Sequence, residues 1–309
     1  MEYLFIINPT AGKGRGLKYI SIVEEYFKDK PEKYIIKLTE YKDHAKEIAK
    51  YYSCQKDYHI FAVGGDGTVN EVLNGMIGSN STLSIIPCGT GNDFVKTLYS
   101  NSSLNNSIEN HIYGNSSYID IGKVNDRYYL NISSVGFDAE VVFNARKFKY
   151  TKMIPSSFAY LAGVIYTAFK FDSLELNIQI DDLNIKQNTF LLAVSNGKCY
   201  GGGIIITPEA NITDGKFDIC NIRKVGILTI LLSIGKALKG NLKVIKEVSY
   251  HKGKSIIVSS EKDFSLNVDG ELLRTNYAKF QVISEGIKVM LPTECSVVSK
   301  RYSEDAIDF

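Results

Sequence analysis

Three glycine-rich loops constrain the fold of this 309-residue chain more than any other feature of its sequence. Each loop follows a short apolar run and leads into a segment with helical spacing; the loops span residues 8–16, 64–71 and 87–93. Apolar runs that alternate with helical patterns predict right-handed βαβ units and a parallel sheet. In such a sheet the three loops emerge together at the carboxyl edge, where α/β proteins bind ligands.

The pattern of apolar and turn residues changes near residue 120. Before it, buried strands are predicted over 3–7, 34–38, 59–63 and 83–86, with helices over 17–27, 44–52 and 68–76. After it, short β-branched or alternating runs are separated by turn pairs such as Asn125-Asp126 and Asp181-Asp182, with helices over 157–171 and 226–238. We therefore predict an α/β N-terminal domain with a parallel sheet over 1–124. An antiparallel β-sandwich domain follows over 125–309, and its C-terminal residues can pack back on the first domain.

Composition excludes several classes of protein. Lys+Arg 36 against Asp+Glu 34 is too even a balance for a nucleic-acid binder that relies on bulk charge. The five scattered cysteines contain no C-x-x-C pair, which argues against a disulfide framework or structural zinc and favours a reducing cytoplasm. The longest apolar run, 225–235, is shorter than the ~20 residues of a membrane-spanning helix.

The loops have the composition of phosphate-binding sites. Glycine permits positive φ and close approach of the backbone, and successive N–H groups at a helix start can bind phosphate oxygens. Neither G-x-x-x-x-G-K-[ST] nor G-x-G-x-x-G in the first turn occurs, so P-loop and Rossmann assignments lose their best support. The alternative is that these glycines only make tight corners, which three such loops on one edge disfavour.

Taken together, the loops resemble those of the diacylglycerol kinase catalytic family, which includes soluble bacterial lipid kinases. The motifs are Asn8-Pro9-x-Ala11-Gly12-Lys13, Gly64-Gly65-Asp66-Gly67-Thr68 with Asn70-Glu71, and Gly89-Thr90-Gly91-Asn92-Asp93-Phe94. The similarity continues through 118–122, Asn131, 136–138, 201–203 and 267–271. The resemblance implies an N-terminal α/β domain, a C-terminal β-rich domain, and transfer of the γ-phosphoryl group of ATP to a lipid hydroxyl with Mg²⁺.

The resemblance also implies a nucleotide site. Its residues would be Asn8, Pro9, Thr10, Ala11, Gly12, Thr39, Gly65, Asp66, Gly67, Thr68, Val69, Asn70, Glu71 and Thr90. Thr68 and Thr90 offer hydroxyls to phosphate or ribose. Asn70 and Glu71 have an alternative role as first-turn helix residues, where a carboxylate favours the helix dipole.

Two cation sites follow from the same resemblance. Asp66, Asp93 and Asp120 match family aspartates of a metal–water network, and ATP phosphates require a hard cation with oxygen ligands. Asp93 can equally be a helix cap and Asp120 an ordinary polar strand residue. A structural cation is expected at Asn211, Asp214 and Lys216, the first and last through backbone carbonyls, although Asp214-Gly215 also suits a bare turn.

Asp269-Gly270-Glu271 would by itself indicate a hairpin turn. With the resemblance, Glu271 becomes the expected proton acceptor from the lipid hydroxyl, and Asp269 an adjacent carboxylate that orients it or binds metal. A hydroxyl proton leaves readily as charge moves in the transition state, so a base of modest pKa suffices. Which of the two acts as base is left open.

The resemblance implies a lipid acceptor, so the expected partner is a lipid substrate at a bilayer surface. We expect the protein itself to be cytoplasmic and to bind peripherally at the inner membrane. Basic candidates for bilayer contact are Lys13, Arg15, Lys18, Lys147 and Lys149, although such runs are often only solvated. No nucleic acid or protein partner is expected, and a homodimer is left open.

Diacylglycerol is the leading acceptor. Diacylglycerol-specific bacterial relatives carry a lysine shortly after Phe-Ala-Tyr, and Phe158-Ala159-Tyr160 lacks one here. The alternatives are a kinase for phosphatidylglycerol or a sphingoid base, an NAD kinase, and a non-catalytic nucleotide- or lipid-binding regulator.

Overall fold

The computed structural model describes residues 2–99, 107–149, 163 and 166–291, except for the side chains of 145–149, 227, 228, 231 and 234. The helices in these ranges are α1 (Lys18–Phe27), α2 (His44–Ser53), α3 (Asp66–Met76), α4 (Asp93–Leu98), α5 (Ile108–Ile112), α6 (Phe137–Lys149) and α7 (Ile227–Leu238), with 3-10 turns at Arg15–Leu17 and Leu242–Val244. The strands are β1 (Glu2–Ile7), β2 (Tyr34–Leu38), β3 (Tyr58–Gly64), β4 (Thr82–Pro87), β5 (Asn115–Val124), β6 (Arg127–Tyr129), β7 (Ile132–Gly136), β8 (Leu174–Ile180), β9 (Leu183–Ser195), β10 (Cys199–Tyr200), β11 (Ile204–Ile205), β12 (Phe217–Arg223), β13 (Val248–Gly253), β14 (Ser255–Val268) and β15 (Glu271–Leu291).

The first four strands pair in parallel in the order β2-β1-β3-β4. Successive residues of β1 face opposite sides of this sheet, as the two-residue period of a strand requires. Leu4 and Ile6 pack with α2 and α3, whereas Phe5 and Ile7 pack with α1. Both faces are therefore buried, which explains why these strands are continuous apolar runs rather than alternating ones.

The second half of the chain is antiparallel. Strand β9 pairs with β7, β8 and β12, and β14 pairs with β7, β8 and β15. The inward residues of these strands form one buried core that includes Phe217, Phe264 and Phe280.

Strand β15 connects the two halves. It leaves β14 near Gln281 and then pairs in parallel with β4 at Lys288 and Val289, while β5 lies antiparallel along its other side. The register with β5 shifts between Ile283 and Ile287, where Glu285 has φ +52°. The carboxylate of Asp120 accepts the Glu285 amide at 3.0 Å and thereby stabilises this bulge.

Most strands before residue 120 lie where the sequence predicts them, but several later elements differ. The strand expected over 128–134 is divided into β6 and β7. A helix was expected after the third loop, where α4 lies, but α6 was not expected. Residues 166–170 of the helix predicted over 157–171 are helical, and most of the remainder lies outside the described residues. In the ranges that the structure covers, no helix is both long and apolar enough to cross a membrane.

Two buried histidines make the fold sensitive to acid. Burial lowers the pKa of His59 to about 3 and that of His111 to about 4. His59 bonds to Ser84 Oγ at 2.7 Å, whereas neither ring nitrogen of His111 has a hydrogen-bond partner among the described residues. Protonation of either ring therefore favours the unfolded chain, in which histidine titrates near pH 6.5.

We expect His111→Phe, which keeps an aromatic ring beside Phe61 and Tyr99, to reduce this acid sensitivity. The stability from a neutral buried histidine is present above the unfolded pKa and is lost as the pH falls toward the folded pKa. Between pH 7 and pH 5 the wild type should lose about 2 kcal/mol more unfolding free energy than the variant. Denaturant titrations at both pH values measure the difference, and parallel losses in the two proteins would refute the prediction.

Candidate active site

The three glycine-rich loops lie side by side, because the strands before them, β1, β3 and β4, are neighbours in the sheet. The Asn8 amide donates to Thr68 Oγ1 at 3.0 Å, which joins the first loop to the second. A Cβ on Gly89 would lie 2.5 Å from the Cα of Gly65, so the second and third loops pack backbone against backbone. Only glycine fits that contact.

Arg15 joins the first loop to the third. Its guanidinium donates to the carbonyls of Gly89 at 2.8 Å and Cys88 at 3.1 Å. Of the side chains predicted to contact a bilayer, Lys13 and Lys18 are exposed, and those of Lys147 and Lys149 lie outside the described set. Arg15 is exposed as well, but its charged group holds the loops together.

The start of α3 faces open space. No atom lies within 4 Å of where a Cβ on Gly67 would be, so the backbone there can be approached closely. A helix N-terminus carries N–H groups without helical partners and a positive dipole end, both of which favour anions. Thr90 is also exposed, on the neighbouring loop.

Other residues of the predicted nucleotide set hold the loops in shape. Asn8 Oδ1 accepts the Thr10 amide and hydroxyl at 3.0 and 2.9 Å, and the Thr39 amide donates to Ile7 at the end of β1. Glu71 accepts the amide of Ala45 at the start of α2. Three further residues of the predicted nucleotide set lie nearby. Pro9 and Ala11 are in the first loop, and the side chain of Val69 packs in the core.

An acidic cavity of about 180 Å³ lies behind the loops, and Asp66, Asp93 and Asp269 line it. Burial, and then the charge of Asp93, raise the pKa of Asp66 although its carboxylate accepts the Phe94 amide. Asp93 accepts from Lys96 Nζ at 2.8 Å and from the amide of Gly202 at 2.7 Å. Each ionised carboxylate of the cavity raises the free energy of its ionised neighbour, which is why the charge of Asp93 raises the pKa of Asp66.

Asp120 does not line this cavity. Its two oxygens accept the amides of Gly215 and Glu285, which makes it a partner of the 211–216 segment instead. In that segment Asp214 pairs with Lys252 Nζ at 3.0 Å and accepts the Lys216 amide, while Asn211 Oδ1 accepts from Thr213. Nowhere in the described ranges do three acidic, histidine or cysteine side chains form a metal-holding group, so both cation sites stay predictions.

Asp269 is the most heavily bonded carboxylate of the site. It accepts the amides of Leu130 and Ile132 at 2.8 and 3.0 Å, the Asn131 amide at 3.2 Å, and Asn70 Nδ2 at 2.9 Å. Because these backbone amides donate to the carboxylate and not to a neighbouring strand, strand pairing is interrupted there, which explains the division between β6 and β7. Burial raises the pKa of Asp269 to about 6, and the hydrogen bonds oppose the rise.

Glu271 faces a second, larger cavity of about 610 Å³ between the two halves of the molecule. Lys42 Nζ lies 2.8 Å from Glu271 Oε1, and Arg127 binds the other oxygen. Burial raises the pKa of Glu271, but the bond to Lys42 and the charges of both cations outweigh it and lower the pKa overall. Neither cation was predicted from the sequence, because no motif or spacing links Lys42 or Arg127 to Glu271.

An apolar cavity of about 320 Å³ adjoins the acidic one, and Tyr200 and Gly201 line both. Its walls include Phe137 of α6, Phe190 of β9, Ile230 and Ala237 of α7, and Leu242 of the following 3-10 turn. Resemblance pointed to the glycines at 201–203, but nothing in the sequence indicated the cavity, because its lining is gathered from distant elements.

Comparisons with known proteins agree with this architecture. The family model for the diacylglycerol kinase catalytic domain matches residues 2–124, and that for the YegS C-terminal NAD kinase beta sandwich-like domain matches residues 131–291. A Staphylococcus saprophyticus diacylglycerol kinase is 30% identical over 245 residues, covering 78% of this chain and 80% of that protein. A Bacillus subtilis diacylglycerol kinase is 28% identical over 292 residues, covering 94% and 96%.

Solved structures show the same fold. One from Bacillus anthracis superposes with a TM-score of 0.77 at 25% identity and covers 96% of each chain. A diacylglycerol kinase from that organism superposes with a TM-score of 0.71 at 22% identity, over 96% of this chain and 98% of the other. From the two family models and the relatives that match most of its length, this chain belongs to the diacylglycerol kinase catalytic-domain family.

Proposed function

We propose that this protein, a lipid kinase by its family, transfers the γ-phosphoryl group of ATP to a lipid hydroxyl, with Mg²⁺, and that diacylglycerol is the acceptor. One observation carries the proposal: an apolar cavity adjoins an acidic cavity at the glycine-rich loops. A triphosphate needs the loops and carboxylates, and an acyl chain needs the apolar walls. NAD, the acceptor of the alternative reaction, offers no chain for that cavity.

The nucleotide half of the proposal rests on the loops. The backbone around Gly67 and the start of α3 would bind phosphate oxygens. A Cβ on Gly91 would lie 3.1 Å from Asp66 Oδ2 and 3.3 Å from Asp93 Oδ2, so both carboxylates border one small space. One or two carboxylates with water suit Mg²⁺, which when bound would neutralise the phosphate charge.

Glu271 is the better candidate for the base. Asp269 already accepts four donors, and protonating it would break bonds that hold the backbone at 130–132. Glu271 instead borders the open cleft. As the acceptor oxygen bonds to the γ-phosphorus and the bond to the β–γ bridging oxygen breaks, the hydroxyl proton passes to Glu271.

The acceptor would be reached at a membrane surface. Between Arg223 and Lys246 the chain carries six cations and no acidic residue, and α7 lies within this segment. On the outer side of α7, Leu232 is 67% exposed and Lys236 and Lys239 are also exposed, while Ile230 and Ala237 line the apolar cavity. An anionic bilayer complements this face, and a lipid entering there would pass directly into the cavity.

The catalytic assignment predicts that Glu271→Gln abolishes phosphoryl transfer without loss of stability. Removing a general base typically costs 10²–10⁴-fold, roughly the loss expected here. Asp269→Asn should also lose activity, but because it destabilises the protein: its unfolding free energy should fall by about 1–3 kcal/mol. Radiolabelled ATP with separate vesicles of diacylglycerol, phosphatidylglycerol and a sphingoid base measures turnover and the acceptor, and a stable, fully active Glu271→Gln protein would refute the base.

The cavity assignment predicts that Ala237→Phe weakens the use of long-chain diacylglycerol. If the ring displaces two methylenes, at about 0.8 kcal/mol each, kcat/KM for that lipid falls roughly tenfold. Short-chain acceptors and ATP binding should be unaffected. The matched control is Ile22→Phe on the exposed side of α1. An equal loss for short and long chains would contradict an acyl-chain role.

The membrane assignment predicts that Lys236→Glu with Lys239→Glu weakens binding to vesicles that contain anionic lipid. Each lysine near such a surface contributes about 1 kcal/mol, so losing both lowers the partition coefficient roughly 30-fold, and repulsion of the two new carboxylates lowers it further. Co-sedimentation measures it, with neutral vesicles and the Lys186→Glu variant as controls. Unchanged binding would exclude this face.

A further inference from the structure

Two cations meet one carboxylate at the mouth of the large cleft. Lys42 belongs to the segment between β2 and α2, Arg127 lies in β6, and Glu271 is the first residue of β15. Lys42 Nζ lies 2.8 Å from Oε1 and Arg127 bonds to Oε2, so both oxygens of Glu271 are occupied. The pairing therefore spans the cleft from the first half of the molecule to the second.

This arrangement is held only by the carboxylate. Lys42 and Arg127 repel each other: Glu271 raises the pKa of Lys42, and the charge of Arg127 opposes that rise. Neither cation has another ion pair among the residues that the structure describes. Their side chains are 72% and 44% exposed, and that of Glu271 is 29% exposed. Ion pairs this accessible to water contribute little and exchange partners readily.

A stronger anion has access to the same cations. They line the cleft together with Gly67, whose backbone at the start of α3 faces open space. A polyphosphate bound at Gly67 would lie in that cleft and carry several negative charges. Arginine and lysine bind phosphate oxygens in charge-assisted hydrogen bonds, as they do carboxylates, and a polyphosphate offers several negative charges where Glu271 offers one.

We propose that Lys42 and Arg127 are positioning residues that hold Glu271 in a doubly paired, inactive state, and that a nucleotide polyphosphate releases Glu271 by taking these cations for itself. The exchange makes and breaks ion pairs only. The inference rests on the proposed function, since it concerns the same base. Its consequence is that the hydroxyl of a lipid meets a competent proton acceptor only after the phosphoryl donor has bound.

The exchange changes the affinity of Glu271 for a proton. With both cations in place the carboxylate is a weak base, and without them its burial raises the pKa. Donor binding should therefore be coupled to proton uptake by this one residue. A role confined to structural support would produce no such coupling.

The first test needs no turnover. Calorimetric titration with the Mg²⁺ complex of a non-hydrolysable ATP analogue, in buffers of different ionisation enthalpy between pH 5 and 6, measures protons taken up. We expect the wild type to take up more protons on binding than Glu271→Gln. When Lys42→Met and Arg127→Met are both present, the effect of Glu271→Gln on proton uptake should be at least twofold smaller. Equal uptake by wild type and Glu271→Gln overturns the inference, whereas no binding of the analogue overturns the proposed function itself.

The second test uses pH profiles. The acid limb of kcat/KM for ATP reports the pKa of Glu271 in the free enzyme, where it is paired with both cations. The acid limb of kcat reports the pKa of Glu271 after the nucleotide has released it. In the wild type the kcat/KM limb should therefore lie about one pH unit below the kcat limb. Lys42→Met with Arg127→Met should bring the two limbs together, and Lys42→Arg with Arg127→Lys should restore the separation. The control Lys186→Met removes an exposed ion pair with Glu175, far from the cleft in the β8–β9 hairpin. Coincident limbs in the wild type contradict the proposal.

Discussion

The carboxylate of Asp269 is the interaction on which the site depends. It binds three consecutive amides of the second half of the molecule and the side chain of Asn70 on α3 in the first half. A buried carboxylate is costly unless donors surround it, and here they do. Because the same contact ends β6, begins β7 and fixes α3, it sets the distance between the glycine-rich loops and the hairpin that carries Glu271.

The acidic residues of the site divide their roles by environment. Asp66 and Asp93 share a small cavity with Asp269, and burial together with the charge of Asp93 raises the pKa of Asp66. Glu271, two positions after Asp269, faces open cleft and two basic side chains instead. The carboxylates of Asp269 and Glu271, two residues apart, therefore have pKa values shifted in opposite directions, upward for Asp269 and downward for Glu271.

Local chemistry determines how much of this the sequence could predict. The apolar runs of β1, β3 and β4 and the glycines after them are visible because strand burial and loop conformation depend on neighbouring residues. The break between β6 and β7 was missed because its cause, the Asp269 carboxylate, lies far along the chain. Asp120 matched a metal-ligand motif, but its oxygens bind the Gly215 turn and the Glu285 bulge, a role that depends on the bend of β15. The boundary at residue 124 stays a prediction.

In the proposed reaction the phosphoryl donor and the lipid acceptor occupy adjoining cavities of one site. A crystal structure with a non-hydrolysable ATP analogue, Mg²⁺ and a diacylglycerol tests it most directly. We expect the γ-phosphate beside Gly67, an acyl chain against Ile230 and Ala237, and the acceptor hydroxyl about 3–3.5 Å from the γ-phosphorus. A nucleotide bound away from the glycine-rich loops, or a lipid bound outside the apolar cavity, would contradict it.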